Sequence, residues 1–113
     1  MDQVLFVEES TNPAAGFLAQ CVFGDKQIDE SPCGTGTCAR LAIRYARKKL
    51  TLNQEFKQLN TNQAGAFYGK IIKQEQMDGY VAVTPVVCCR NVFITGFSKL
   101  VIEKNDDLKT GIT

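Results

Sequence analysis

The 113 residues contain no histidine and no tryptophan. Without histidine the commonest general base is missing, so any proton transfer has to use Cys, Asp, Glu, Lys or Tyr. There is no Cys-x-x-Cys pair either, so no metal site is expected. Neither sign of charge dominates: 13 basic and 12 acidic residues leave a net +1. With no basic block, nucleic acid and anionic membrane surfaces are not expected partners. No apolar run approaches the roughly 20 residues of a membrane span. Met1-Asp2-Gln3 lacks the positive start and long apolar region of a signal peptide, and a cytoplasmic location is the expectation. Five cysteines, an odd number, argue against a disulfide framework. The length allows one domain, residues 1–113, with one modest core.

What is present centres on Asp29-Glu30-Ser31-Pro32-Cys33-Gly34-Thr35-Gly36-Thr37. Pro32 fixes its own φ and biases Ser31 towards an extended conformation. Gly34 and Gly36 permit unusual backbone angles and close approach of a ligand. A helical pattern follows, so unpaired N–H groups and the positive end of a helix dipole are expected beside Cys33. That field favours both a bound carboxylate and a thiolate. A glycine-flanked cysteine can equally be a small buried residue at a turn.

Elsewhere the pattern predicts strands over 3–8, 17–23, 65–73 and 80–87, with two more over 91–95 and 97–103. Asn12-Pro13 marks a break and Met77-Asp78-Gly79 a turn. Pro85 suggests an edge or a bulge. Residues 52–59 fit a strand or a helical turn. Thr37–Lys49 is the one convincing helix, with apolar stripes Cys38/Leu41/Ala42/Tyr45 and Ala39/Ile43/Ala46/Leu50. A helix apolar on most of its circumference is expected to be buried. The fold class is α+β.

The run from Ile28-Asp29 to Arg40 resembles the second cysteine motif of the proline racemase family. That family also holds hydroxyproline epimerases and dehydratases. The likeness extends from Val4-Leu5-Phe6-Val7 to Asp106-Asp107-Leu108, which would be about the second half of a family member. The resemblance implies a diaminopimelate-epimerase-like half, a mixed curved sheet wrapped round one central helix. The segment from Phe93 to Ile102 looks like the strands that return towards the first half.

It also implies cofactor-independent racemisation or epimerisation of proline or hydroxyproline. Two thiols would exchange a proton at Cα, one acting as base and the other as acid. Cys33 would be one of them, and the second would come from a missing N-terminal half or a second chain. By the same resemblance Gly34 and Thr35 N–H groups would hold the substrate carboxylate, and Asp29 would meet its ammonium; a turn-forming Asp is the plainer role. The dehydratases carry Thr where this chain has Cys33, which favours racemase or epimerase chemistry. Glu30 stands where relatives usually have Arg, and Lys48 where they have Gly. Asn53-Gln54 and Ala64-Gly65 replace Gly-Glu and Gly-Ser. The chain alone is expected to be inactive. The alternatives are a non-catalytic relative that binds a carboxylate or a partner chain, and a general anion-binding module. Cys33 is expected to be the most reactive thiol, with Cys21, Cys38, Cys88 and Cys89 packed on apolar faces.

Overall fold

The computed structural model describes residues 3–9, 15–63, 65–90 and 92–111. Six strands form one mixed sheet: β1 (Gln3–Glu8), β2 (Phe17–Phe23), β3 (Gln27–Ile28), β4 (Phe56–Leu59), β5 (Ala66–Met77) and β6 (Tyr80–Cys89). Helix α1 (Gly34–Ala46) lies between β3 and β4 in the chain. The strand order is β1-β2-β4-β5-β6, with β3 also pairing β2. Among the described residues only the β2–β4 pairing is parallel; it is the one bridged by the helical crossover. Residues 52–59 resolve as a loop and then β4. The expected Asn12-Pro13 break lies outside the described residues.

The sheet curls round the helix, and contacts at both of its ends show this. At one end Leu5 of β1 lies against Gly36, and Glu9 just after β1 pairs with Arg40 and Arg44. At the other end α1 packs on β5 and β6. The core joins Leu41 of the helix to Phe17, Leu50, Phe56 and Ile71, with Tyr45, Val83 and Val87 packed against it. Phe17 and Phe56 stack with centroids 5.0 Å apart. The Arg44 guanidinium carbon sits 4.4 Å from the Phe17 centroid, a cation–π contact. Gly69 lets the helix come close: a Cβ there would lie 2.7 Å from Leu41 Cδ1.

The Asp78-Gly79 turn joins β5 and β6. Both residues have positive φ, 49° and 81°, which is the twist a two-residue hairpin loop needs. Pro85 sits on edge strand β6 opposite Ile71, beside the register shift between Ile71 and Lys73. An edge and a bulge are both places where a missing N–H is tolerated.

Four expectations are corrected. The helix spans Gly34–Ala46 rather than Thr37–Lys49, because Cys33 caps it and draws both glycines into the first turn. It ends early because Lys48 turns into the left-handed region at φ 58°. Lys48 N–H donates to Tyr45 O and Lys49 N–H to Arg44 O, closing a Schellman motif at a place that suits glycine. Second, the Ala39/Ile43/Ala46/Leu50 stripe is buried only at Leu50; Ile43 is 49% exposed, and Ala39 and Ala46 are exposed beside it. Third, residues 92–111 form no strand. Asn91 itself is outside the described residues. Val92, Phe93, Ile94, Phe97, Leu100, Val101 and Ile102 are all exposed, because no described strand edge pairs with them. Fourth, Cys88 and Cys89 are exposed at the end of edge strand β6 rather than packed.

Candidate functional site

The stretch from Asp29 to Thr37 is held by a chain of local hydrogen bonds. Asp29 N–H donates to Cys21 O at 2.9 Å, tying the stretch to β2. Ser31 N–H donates to Asp29 Oδ1 at 2.9 Å, and Cys33 N–H to Ser31 Oγ at 3.1 Å. These are the turns that Asp and Ser side chains form with backbone two residues on. The turn-forming reading of Asp29 is thus realised, and its half-buried carboxylate also lies close to two sulfurs, as described below.

Cys33 is the helix N-cap, with φ 66° and ψ 110°. That conformation is strained for a residue with a Cβ. In return, Gly36 N–H donates to Cys33 Sγ at 3.3 Å. Cys33 O accepts from Thr37 N–H at 2.9 Å and from Thr37 Oγ1 at 2.6 Å. Gly34 and Thr35 are exposed in the first helical turn, and among the described residues nothing accepts their N–H groups. A helix start leaves such donors open. Gly36 is required by space: a Cβ would meet Leu5 Cδ2 at 2.8 Å and Cys33 Sγ at 3.0 Å.

Sequence reasoning missed the buried network behind this turn. Gln58 of β4, fully buried, donates from Nε2 to Pro32 O at 2.7 Å and to Thr37 Oγ1 at 2.9 Å. Its Oε1 accepts from Arg40 Nη1 at 3.2 Å. Arg40 Nη2 reaches Glu9 at 3.0 Å, and Arg44 Nη1 reaches the other Glu9 oxygen at 2.9 Å. Partial burial pushes the Glu9 carboxyl up, but the charges and hydrogen bonds of Arg40 and Arg44 outweigh this and hold it below its ordinary value. Asn60 adds a second brace: its amide nitrogen donates to Glu30 O and its oxygen accepts from Gly65 N–H. A polar residue in an alternating strand, such as Gln58, carries no local mark of burial. Only the 18-residue and 21-residue separations to Arg40 and Thr37 reveal its role.

Cys33 is only 7% exposed. Cys21 Sγ, Cys33 Sγ and an Asp29 carboxylate oxygen lie within 4.8 Å of one another. Burial pushes the Cys21 thiol up, and the neighbouring Cys33 sulfur and the Asp29 carboxylate push it further. Access therefore favours Cys88 and Cys89 over Cys33, the reverse of the expected reactivity order. Glu30 is exposed and makes no ion pair among the described residues. A groove of about 420 Å³ runs beside the stretch, lined by Glu30, Ser31, Pro32, Asn60, Gly65 and Phe67 among others, but not by Cys33, Gly34 or Thr35.

A curled mixed sheet round one helix, with a cysteine as the helix N-cap, defines a half-barrel with a thiol at the positive end of its helix. The sequence model for proline racemase matches residues 1–113, and the chain belongs to the proline racemase family. It is 34% identical over 113 residues to the proline racemase of Acetoanaerobium sticklandii, covering 100% of this chain and 33% of that protein. It is 37% identical over 108 residues to a trans-3-hydroxy-L-proline dehydratase of Bacillus thuringiensis, covering 96% of this chain and 32% of that protein. The crystal structure of a hydroxyproline epimerase from Agrobacterium vitis with bound trans-4-hydroxy-L-proline superposes with a TM-score of 0.75 at 25% identity. That match covers 99% of this chain and 31% of the other. The chain thus spans about a third of the length of the curated relatives it matches. No helix among the described residues is long and apolar enough to cross a membrane.

Proposed function

We propose that residues 1–113 are the second-cysteine part of a proline racemase or hydroxyproline epimerase, with Cys33 as one of two thiols that exchange a proton at Cα. One observation carries this. Cys33 caps α1 in a strained conformation, its sulfur accepts the Gly36 N–H, and the Gly34 and Thr35 N–H groups stand open beside it. Strain of this kind persists only where surrounding structure over-determines it, and it clusters at functional sites. The buried Gln58–Thr37 brace supplies that structure.

In this reading the substrate carboxylate lies on the Gly34 and Thr35 N–H groups. They stabilise the negative charge that grows as the Cα proton leaves. Asp29 faces the secondary ammonium. As base, the Cys33 thiolate takes the proton from one face of Cα. A second group then returns a proton from the other face, so that no net proton is consumed and the configuration inverts. That second group lies outside these residues, in a further part of the protein or a second chain. The exposed apolar residues of 92–102 fit strands that pair with that part. A thiol at position 33 favours inversion over the dehydration carried out by relatives with Thr there. No cofactor enters the proposal.

The test joins this chain to the remaining two-thirds of the Acetoanaerobium proline racemase and follows deuterium uptake at Cα of proline and hydroxyproline in heavy water. Uptake is expected, with a loss of about 10²-fold or more in Cys33→Ser. The 113 residues alone should give none. Uptake that survives Cys33→Ser would remove Cys33 from the chemistry. A folded joined protein that inverts neither substrate would favour a non-catalytic carboxylate binder.

A further inference from the structure

Cys21, Asp29 and Cys33 have no Cys-x-x-Cys-type spacing in the chain, and their donor atoms meet only in the fold. Cys21 is on β2, Asp29 follows β3, and Cys33 caps α1. We propose that Cys21, Asp29 and Cys33 form a three-ligand site for a thiophilic divalent ion of the zinc–cadmium class. Among the described residues they are the one such cluster of donors, all within 4.8 Å of one another, and both cysteines are buried.

The geometry suits a tetrahedral ion. With metal–sulfur bonds of about 2.3 Å, two sulfurs on such an ion stand roughly 3.8 Å apart. Donors already within 4.8 Å have to close by about 1 Å or less, which side-chain torsions supply. Two sulfurs and one carboxylate select a soft or borderline ion over magnesium or calcium, which take oxygen ligands. Three protein ligands leave one position open.

The supporting structure is that of an oriented site. Ser31 N–H holds the Asp29 carboxylate, Gly36 N–H holds the Cys33 sulfur, and Asp29 N–H ties the turn to Cys21 O. Such outer contacts fix ligand direction. Binding is balanced by release of whatever thiol protons the two sulfurs carry as the metal–sulfur bonds form. The site stands without the racemase reading. If that reading also holds, the ion occupies the sulfur that would take the Cα proton, and it acts as a reversible block.

The test uses the 113-residue chain carrying Cys88→Ser and Cys89→Ser, so that the exposed pair cannot bind ions. Cadmium is titrated by calorimetry and by its thiolate charge-transfer absorption, with no substrate present. The expected result is one ion per chain with proton release. Cys21→Ser and Cys33→Ser should each weaken binding by about 100-fold or more, and Asp29→Asn by about 10-fold to 100-fold. Cys38→Ser should change nothing. Asp29→Asn keeps the acceptor for Ser31 N–H, so it tests the ligand without dissolving the turn. Circular dichroism reports whether each variant is folded. Absent binding in the folded background protein, or binding that survives Cys21→Ser, would overturn the site.

Discussion

Helix α1 and the segment 92–111 are both rich in apolar residues, and they end in opposite states. The helix buries Leu41 completely and carries the one strained, fully braced turn of the site. The later segment leaves Phe97 94% exposed and has no strand. The difference lies in where each finds its hydrogen bonds. A helix closes its own backbone groups four residues away. A strand needs an edge to pair with, and its apolar alternation names a face without naming the partner. Apolar content alone thus decides neither burial nor secondary structure; an available partner does.

The comparison breaks first at Leu41. It fills the space above Gly69 and Ile71, and Leu41→Ala should cost about 2–5 kcal/mol through lost burial and a residual cavity. Urea unfolding followed by circular dichroism measures it. A loss under about 1 kcal/mol would mean that the helix is not packed on the sheet in solution.

Two glycines two residues apart sharpen it next. Gly36→Ala pushes a methyl against Leu5 and the Cys33 sulfur, and should cost about 1–3 kcal/mol. At Gly34 a Cβ meets nothing within 4 Å, and the residue is helical. Gly34→Ala should therefore stabilise by about 0.5–1 kcal/mol. Equal effects at both positions would show that the helix does not start at Cys33.

Glu9 tests how the helix is tied to the end of β1. The ordinary carboxyl titrates at 4.5, and in the folded chain the value is lower. As pH falls, the unfolded state takes up the proton first. The contribution is present above pH 4.5 and is lost as pH drops through the lower folded value. Glu9 is largely exposed, so screening keeps the effect under about 1 kcal/mol. Glu9→Gln should flatten that acid limb. An unchanged pH profile of stability between wild type and variant would make the Arg40 and Arg44 pairing a surface ornament.

Much of this was legible from local chemistry. Asp78-Gly79 announced its turn, Pro85 its edge and bulge, and Asp29 to Thr37 the helix start with its cysteine. The sequence pattern starts the helix three residues late because Gly34 and Gly36 suggest a loop. Only the N-cap geometry of Cys33, with its sulfur taking Gly36 N–H, shows that they are helical. Lys48 shows the converse: a site that suits glycine kept its left-handed backbone with lysine in place, because the two Schellman bonds hold it. Gln58, Arg40 and Cys21 gave no local signal. Each acquires its role from residues brought near by strand pairing, and a single sequence does not display that pairing.

The smallest expected effect is at Phe97. Burying a phenylalanine is ordinarily worth about 1.5–3 kcal/mol, so its removal from a core is felt. Here the ring is 94% exposed, and no described residue shields it. Phe97→Ser in the 113-residue chain should therefore change unfolding stability by no more than about 0.5 kcal/mol, the usual range for surface sites. The same substitution in the chain joined to the rest of a relative should cost more, because the strand it belongs to would then have an edge to pair with. The two measurements together separate composition from partnership. A large loss in the short chain alone would mean that Phe97 already packs against something in solution. Equal, negligible losses in both would mean that residues 92–102 are not a strand waiting for an edge.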